Sequence, residues 1–190
     1  MAVRLAGVGP DGANWTANRR ARFRTHVSPR AAVLASWVAW LRMAVEATIA
    51  GEGCSLVLRV SGYERPQEQT GADANWVNAE VELRASTTGT FQAWHNVSLR
   101  TEQIAEFRDQ LSSLLEALTG EAVLKHLEAQ VGCTIRLRKG VGELDAFVRE
   151  AIGAELRVSS ARTDQSYLQE TLRQMDSIVS AYPVKGNTLR

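Results

Sequence analysis

Cysteine and histidine are scarce in this chain of 190 residues. Cys54 and Cys133 could form one disulfide, but two cysteines in a domain of this size are more often buried, reduced thiols. His26, His95 and His126 do not stand at metal-ligand spacing from a cysteine or from one another, which argues against zinc. No apolar run reaches the ~18–20 residues that a membrane-spanning helix needs. We therefore expect no metal, no other cofactor and no membrane contact.

The sequence also lacks a catalytic motif. The Gly140-Val141-Gly142 segment has no following Lys-Ser/Thr, so it predicts a turn and not a phosphate-binding loop. Asp164 and Ser166 are explained by capping of a helix, since no histidine or other base accompanies them as a hydrolytic triad requires. We expect no catalytic residues, and a small hydrolase or transferase with an unrecognised site is the alternative.

The nearly neutral total charge hides an uneven distribution. Residues 1–50 contain seven arginines against Asp11 and Glu46, which gives +5. Residues 51–190 contain 15 basic and 19 acidic side chains, which gives −4. A body with this balance is poorly suited to neutralise phosphates, so we do not expect it to bind nucleic acid.

The composition changes abruptly at Met43. Before it stand glycines, prolines and dispersed arginines, and after it the chain becomes regular. We predict that residues 1–42 are an arginine-rich leader, either disordered or translated upstream of a true start at Met43. Residues 43–183 form a single domain and residues 184–190 a polar tail. The alternative is an arginine-rich arm that contacts nucleic acid or a membrane surface.

Alternation of apolar and polar residues identifies the strands. From residue 77 to 84, apolar and polar side chains alternate for four periods, which predicts a strand with one face on a core and one face in water. This pattern is typical of an antiparallel sheet with one wetted face. Further strands are expected at residues 54–62, 90–97, 133–138, 144–152 and 154–160, and 123–127 is ambiguous.

Two amphipathic helices complete the fold. Apolar residues at helical spacing predict one helix from the Thr101 N-cap to Gly120, and a second from the Asp164 N-cap to Tyr182. Leu111 and Leu172 lie mid-stripe and are expected to be almost fully buried. We predict an α+β fold: a meandering antiparallel sheet of about six or seven strands with both helices packed on one face. We find no internal repeat.

Charged residues on the wetted strand faces are candidates for partner binding. Glu80, Glu82, Arg136 and Arg138 are either cross-strand charge pairs or a charged docking surface. Trp94 is either a core residue or an interface anchor. Together with Asp73 these residues are our predicted partner-binding set, and we take Glu80 and Glu82 to project freely into water.

Several segments, in order, resemble the WapI-type immunity proteins of bacteria. They are Asp73-Ala-Asn-Trp-Val with its alternating strand, the Gly89-Thr-Phe-Gln-Ala-Trp94 hairpin, the leucine-rich helix, the strand series to Ser160, and Thr163-Asp-Gln-Ser-Tyr-Leu168. The likeness covers about residues 43–183. It implies a non-enzymatic, cytoplasmic antitoxin that binds the toxic C-terminal domain of a contact-dependent toxin, often a nuclease, and blocks it. We expect the protein to act as a monomer.

Overall fold

The computed structural model describes residues 44–86, 89–150 and 153–186, without the side chain of residue 72. The predicted leader, residues 1–42, lies outside these residues, and so does the tail from residue 187 onward. Eight strands and two α-helices occur within them. In chain order they are β1 (Val45–Gly51), β2 (Cys54–Tyr63), β3 (Trp76–Ser86), β4 (Thr90–Arg100), α1 (Thr101–Ala117), β5 (Thr119–Lys125), β6 (Val131–Arg138), β7 (Val141–Arg149), β8 (Glu155–Asp164) and α2 (Gln165–Ala181).

The strands form two sheets of four. Strands β1 to β4 pair in chain order in the first sheet and β5 to β8 in the second, and every pairing is antiparallel. The α+β class is confirmed, but the prediction of a single sheet of six or seven strands is wrong. Alternation shows which side chains share a face of a strand, but it does not show which strands are neighbours.

The same order of elements occurs twice. Four antiparallel strands followed by one helix make up residues 45–117, and the same arrangement recurs over residues 119–181. The sequence shows no internal repeat, so this repeat is one of topology alone. The core of each unit requires only apolar alternation and a helical stripe, and many sequences supply both.

Helix α2 covers the free edge of β1, the first strand of the other unit. Thr171 Oγ1 donates to the Thr48 carbonyl at 2.7 Å, and the Thr48 N–H donates to Gln174 Oε1 at 2.7 Å. Both edge-facing backbone groups of Thr48 are thus satisfied by helix side chains. An edge strand covered in this way cannot pair with another chain.

Helix α1 covers the edge of β5 by the same device. The Val123 N–H donates to Gln110 Oε1 at 2.8 Å, and Gln103 Nε2 donates to the Lys125 carbonyl at 2.6 Å. Each helix therefore packs along the first strand of the unit to which it does not belong, and the helices also contact each other.

A single core joins both sheets and both helices. It contains the inward-facing side chains of the strands together with the apolar stripes of α1 and α2. Leu111 is fully buried, as predicted. Leu172 is only partly buried, so that prediction is wrong: the buried stripe of α2 runs through Leu168, Thr171, Met175 and Ile178, and Leu172 lies at its margin.

Both cysteines are free, in agreement with the preferred sequence interpretation. Cys133 is buried in the core, and burial raises the pKa of its thiol. Cys54 lies half-buried at the start of β2, where burial also raises the pKa of its thiol.

The helix ends agree only partly with the sequence predictions. Asp164 is the N-cap of α2, as predicted, and its carboxylate accepts from the Ser166 and Tyr167 N–H groups. Arg100, not Thr101, is the N-cap of α1, because β4 runs directly into the helix. The C-cap of α1 is Leu118, which adopts a left-handed conformation with φ of 56°, two residues before Gly120.

Candidate functional site

The outer face of the first sheet carries a row of charges joined by Arg59. The register places Glu46 on β1, Arg59 on β2 and Glu80 on β3 side by side. Arg59 Nε lies 3.1 Å from a Glu46 oxygen, and Nη1 lies 2.8 Å from Glu80 and 2.9 Å from Glu82. One guanidinium therefore compensates the negative charge of three carboxylates. The arginine side chain is well suited to this, because it is planar and carries several N–H donors.

Glu82 is the most enclosed member of this cluster, with 4% of the residue exposed. Arg84 Nε donates to one oxygen at 2.7 Å and Nη2 to the other at 2.9 Å, and Gln92 also donates to the carboxylate. Burial opposes ionisation of Glu82, but the hydrogen bonds from Arg84 and Arg59 outweigh it and hold its pKa below the usual value.

The prediction that Glu80 and Glu82 project freely into water is wrong. Alternation placed them correctly on the outer face, but their side chains are only 12% and 5% exposed. The reason is cross-strand: Arg59 reaches over from β2 and ties both carboxylates to the sheet. A charge reversal at these positions would place lysines beside Arg59, so it would destabilise the fold and could not isolate an effect on binding.

Trp94 lies beside this cluster on β4, directly opposite Glu82 in the register. It is 53% exposed and, with Glu80, Glu82 and Gln92, lines a shallow cleft of about 160 Å³. Phe91, on the other face of the same strand, is 58% exposed. Phe91 is not among the predicted partner-binding residues, although an aromatic residue at the start of a hairpin strand is a signal for one. Half-exposed aromatic side chains on a strand are typical anchors for a partner.

Asp73 lies in the loop between β2 and β3. Its carboxylate is 2.7 Å from Arg65 Nη1, and its side chain is 55% exposed. It lines a second cleft, of about 530 Å³, with His95 and His126. His126 is buried, its Nε2 lies 3.1 Å from the Ser98 carbonyl, and burial lowers the pKa of its imidazole.

Arg136 and Arg138 lie on the outer face of the second sheet. Arg136 pairs with Glu121 at 2.8 Å and with Asp145 at 2.5 Å, while Arg138 is exposed. The pKa of Asp145 is lowered first by the Ser160 N–H, and the bond from Arg136 adds to this against an opposing effect of burial. The six predicted residues are thus divided among the first sheet, a loop and the second sheet.

The depressed pKa values of Glu82 and Asp145 predict a stability that decreases in acid. Unfolded carboxyls titrate near ~4, so both contributions are complete above that pH and are lost as the pH falls through the lower folded-state values. Urea denaturation between pH 7 and pH 3 measures this. The Glu82→Gln variant should show a flatter dependence than the wild type, and an identical slope would contradict the assignment to Glu82.

Two further observations concern ligands and membranes. Across residues 44–86, 89–150 and 153–186, no three His, Cys, Asp or Glu side chains gather closely enough to hold a metal ion. Neither helix within these ranges is long and apolar enough to cross a bilayer.

Comparison with known proteins identifies the family. The model of the immunity protein WapI-like family matches residues 47–183, which extend from β1 to just beyond α2. A comparison with curated proteins finds no significant match. The family match confirms the resemblance seen in the sequence and covers well over half of the chain, including most of β1, the other seven strands and both helices. The chain therefore belongs to the WapI-like immunity protein family.

Proposed function

We propose that this protein is a cytoplasmic immunity protein that binds the toxic domain of a cognate toxin and inhibits it by occluding its active surface. It acts as a monomer in a one-to-one complex and catalyses no reaction itself. The observation that carries the proposal is the family match over residues 47–183, which extend from β1 to just beyond α2.

The surface around Trp94 is our candidate for the toxin contact. Trp94 and Phe91 offer exposed aromatic area on a strand whose surroundings are fixed by the Arg59 cluster. Binding loses less entropy when the surface around the contact residues is already ordered. Residues 51–190 carry a net charge of −4, which favours association with a basic toxin domain such as a nuclease.

The test is titration with the C-terminal toxin domain encoded beside this gene. Wild-type protein should bind it and protect cells that express it. Trp94→Ala should weaken binding by roughly 30-fold or more, because a central aromatic anchor typically contributes this much. The matched control is Tyr167→Ala, since Tyr167 is 47% exposed on α2, well separated in the chain from β4.

The immunity function and the assignment of the contact to the Trp94 surface are contradicted by different results. If the wild-type protein neither binds nor protects, the immunity function is wrong for this pair. If it binds but Trp94→Ala and Tyr167→Ala retain equal affinity, the function stands and the Trp94 surface is not the contact.

A further inference from the structure

The two sheets have four edges, and the helices cover those of β1 and β5 as described above. The edge of β8 is protected differently. A register shift opposite Leu144 and Ala146 introduces an extra residue into β8, and Ser160 there has a φ of 53°. This strand also carries the charged residues Glu155, Arg157 and Arg162. Bulges and charges are the usual means by which proteins prevent a sheet edge from pairing with another chain.

The remaining edge, β4, has none of these protections between Thr90 and Asn96. Its pairing with β3 runs without a register shift from Thr90 to Arg100. From Thr90 to Leu99 it contains no proline and no Lys, Arg, Asp or Glu. Residues 90–92, 94 and 96 are exposed. A long, regular, uncharged edge of this kind is a template for another strand.

The hydrogen bonds of β3 show which backbone groups of β4 point outward. The Glu64 N–H donates to the Trp76 carbonyl at 2.9 Å, and the Ser86 N–H donates to the Gly53 carbonyl at 2.7 Å. Trp76 and Ser86 therefore direct their backbone groups toward β2, and so do the even-numbered residues between them, because bonding alternates along an antiparallel strand.

The β4 residues opposite these positions must point away from β3. They include Gln92, Trp94, Asn96 and Ser98. The Ser98 carbonyl confirms this direction, since it lies 3.1 Å from His126 Nε2, outside the sheet. Within the part of the chain that the structure describes, no backbone group pairs with the outward N–H and C=O groups of Gln92, Trp94 and Asn96.

We propose that a strand of the toxin domain adds to the first sheet along β4, pairing with the outward backbone groups from Gln92 to Asn96. This inference rests on the proposed immunity function and specifies how the partner is held. Main-chain hydrogen bonds supply affinity in strand addition, and side-chain contacts on alternate positions supply specificity. Trp94 on the outer face and Phe91 on the inner face provide those contacts, and both favour apolar residues on the incoming strand.

The charges near the Asn96 end specify the partner further. The cleft beside Asn96 and Ser98 is lined by Glu64, Asp73 and Glu128, with Arg65 as its basic residue. A lysine or arginine on the incoming strand fits this end. A second copy pairing through its own β4 fits less well, because that strand carries no lysine or arginine from Thr90 to Leu99.

The decisive experiment compares Asn96→Pro with Asn96→Ala in the full-length chain. Both remove the amide side chain, which makes no hydrogen bond to the described residues, but only proline removes the outward N–H. Asn96→Pro should bind the toxin domain at least roughly tenfold more weakly, because a carbonyl of the incoming strand loses its donor. Asn96→Ala should stay within roughly threefold of the wild type. Circular dichroism and melting show whether each variant is folded.

Amide hydrogen exchange provides an independent measurement on the wild-type protein. The amides of Gln92, Trp94 and Asn96 should exchange rapidly in the free chain and slowly in the complex. If the wild type binds but these amides stay unprotected, strand addition is overturned and the immunity function stands. Protection in the free chain would also overturn it, since another segment or a second copy would already occupy the edge. Absence of wild-type binding would overturn the proposed function itself.

Discussion

Replacing Arg59 by Met should reduce the free energy of unfolding by about 3–5 kcal/mol, the usual cost of breaking a buried ion pair. Arg59 is the shared partner of Glu46, Glu80 and Glu82, and its side chain is 17% exposed. Without it, the enclosed carboxylate of Glu80 loses its ion-pair partner and that of Glu82 keeps only Arg84. The measurement is urea denaturation at pH 7.

The matched control is Arg84→Met, because Arg84 also binds Glu82 but its side chain is 53% exposed. Its cost should be no more than about 1 kcal/mol. The pH dependence adds a second criterion. In Arg59→Met, Glu82 loses one of the hydrogen-bond donors that lower its pKa, while burial still raises it, so the loss of stability in acid should be smaller than in the wild type. Equal costs for both variants would show that Arg59 does not hold the cluster together.

Replacing Leu111 by Ala should cost about 2–5 kcal/mol, through the lost burial and the cavity that remains. Leu111 is fully buried on α1, at the centre of the shared core. Leu172→Ala is the natural comparison, because it is the same substitution on α2 at a partly buried position. We expect it to cost less than about 2 kcal/mol. Each kcal/mol should lower the melting temperature by about 2–4 °C. Equal losses would contradict the different burial of the two leucines.

Local periodicity predicted the individual elements well, and it failed where the outcome depends on distant residues. The alternation from residue 77 to 84 gave the correct faces of β3. The helix beginning at Asp164 was also correct, since a cap is decided by its own first turn. Strand β1 was not assigned, because Val45, Ala47 and Ile49 form a weak alternation whose burial depends on α2, more than a hundred residues later in the chain.

The candidate site shows the same limit at the level of side chains. The sequence placed Glu80, Glu82 and Trp94 on outer strand faces, and the structure does so too. Whether an outward carboxylate is free or enclosed depends on the register that brings Arg59 beside it, and no local pattern encodes that register. Phe91 and the unpaired edge of β4 were not predicted for a related reason. A strand is recognised as an edge strand only when the order of strands in the sheet is known.

The crossed positions of the two helices affect how the protein must be made. A nascent chain that has emerged only to residue 117 carries β1 without α2, so Thr48 still lacks the side chains that satisfy its backbone groups. Such an intermediate exposes two sheet edges and the apolar face of α1, which are the features that promote aggregation during synthesis. We therefore expect that neither half folds by itself, and a complementation assay with separately expressed halves should yield soluble protein only when both are present together.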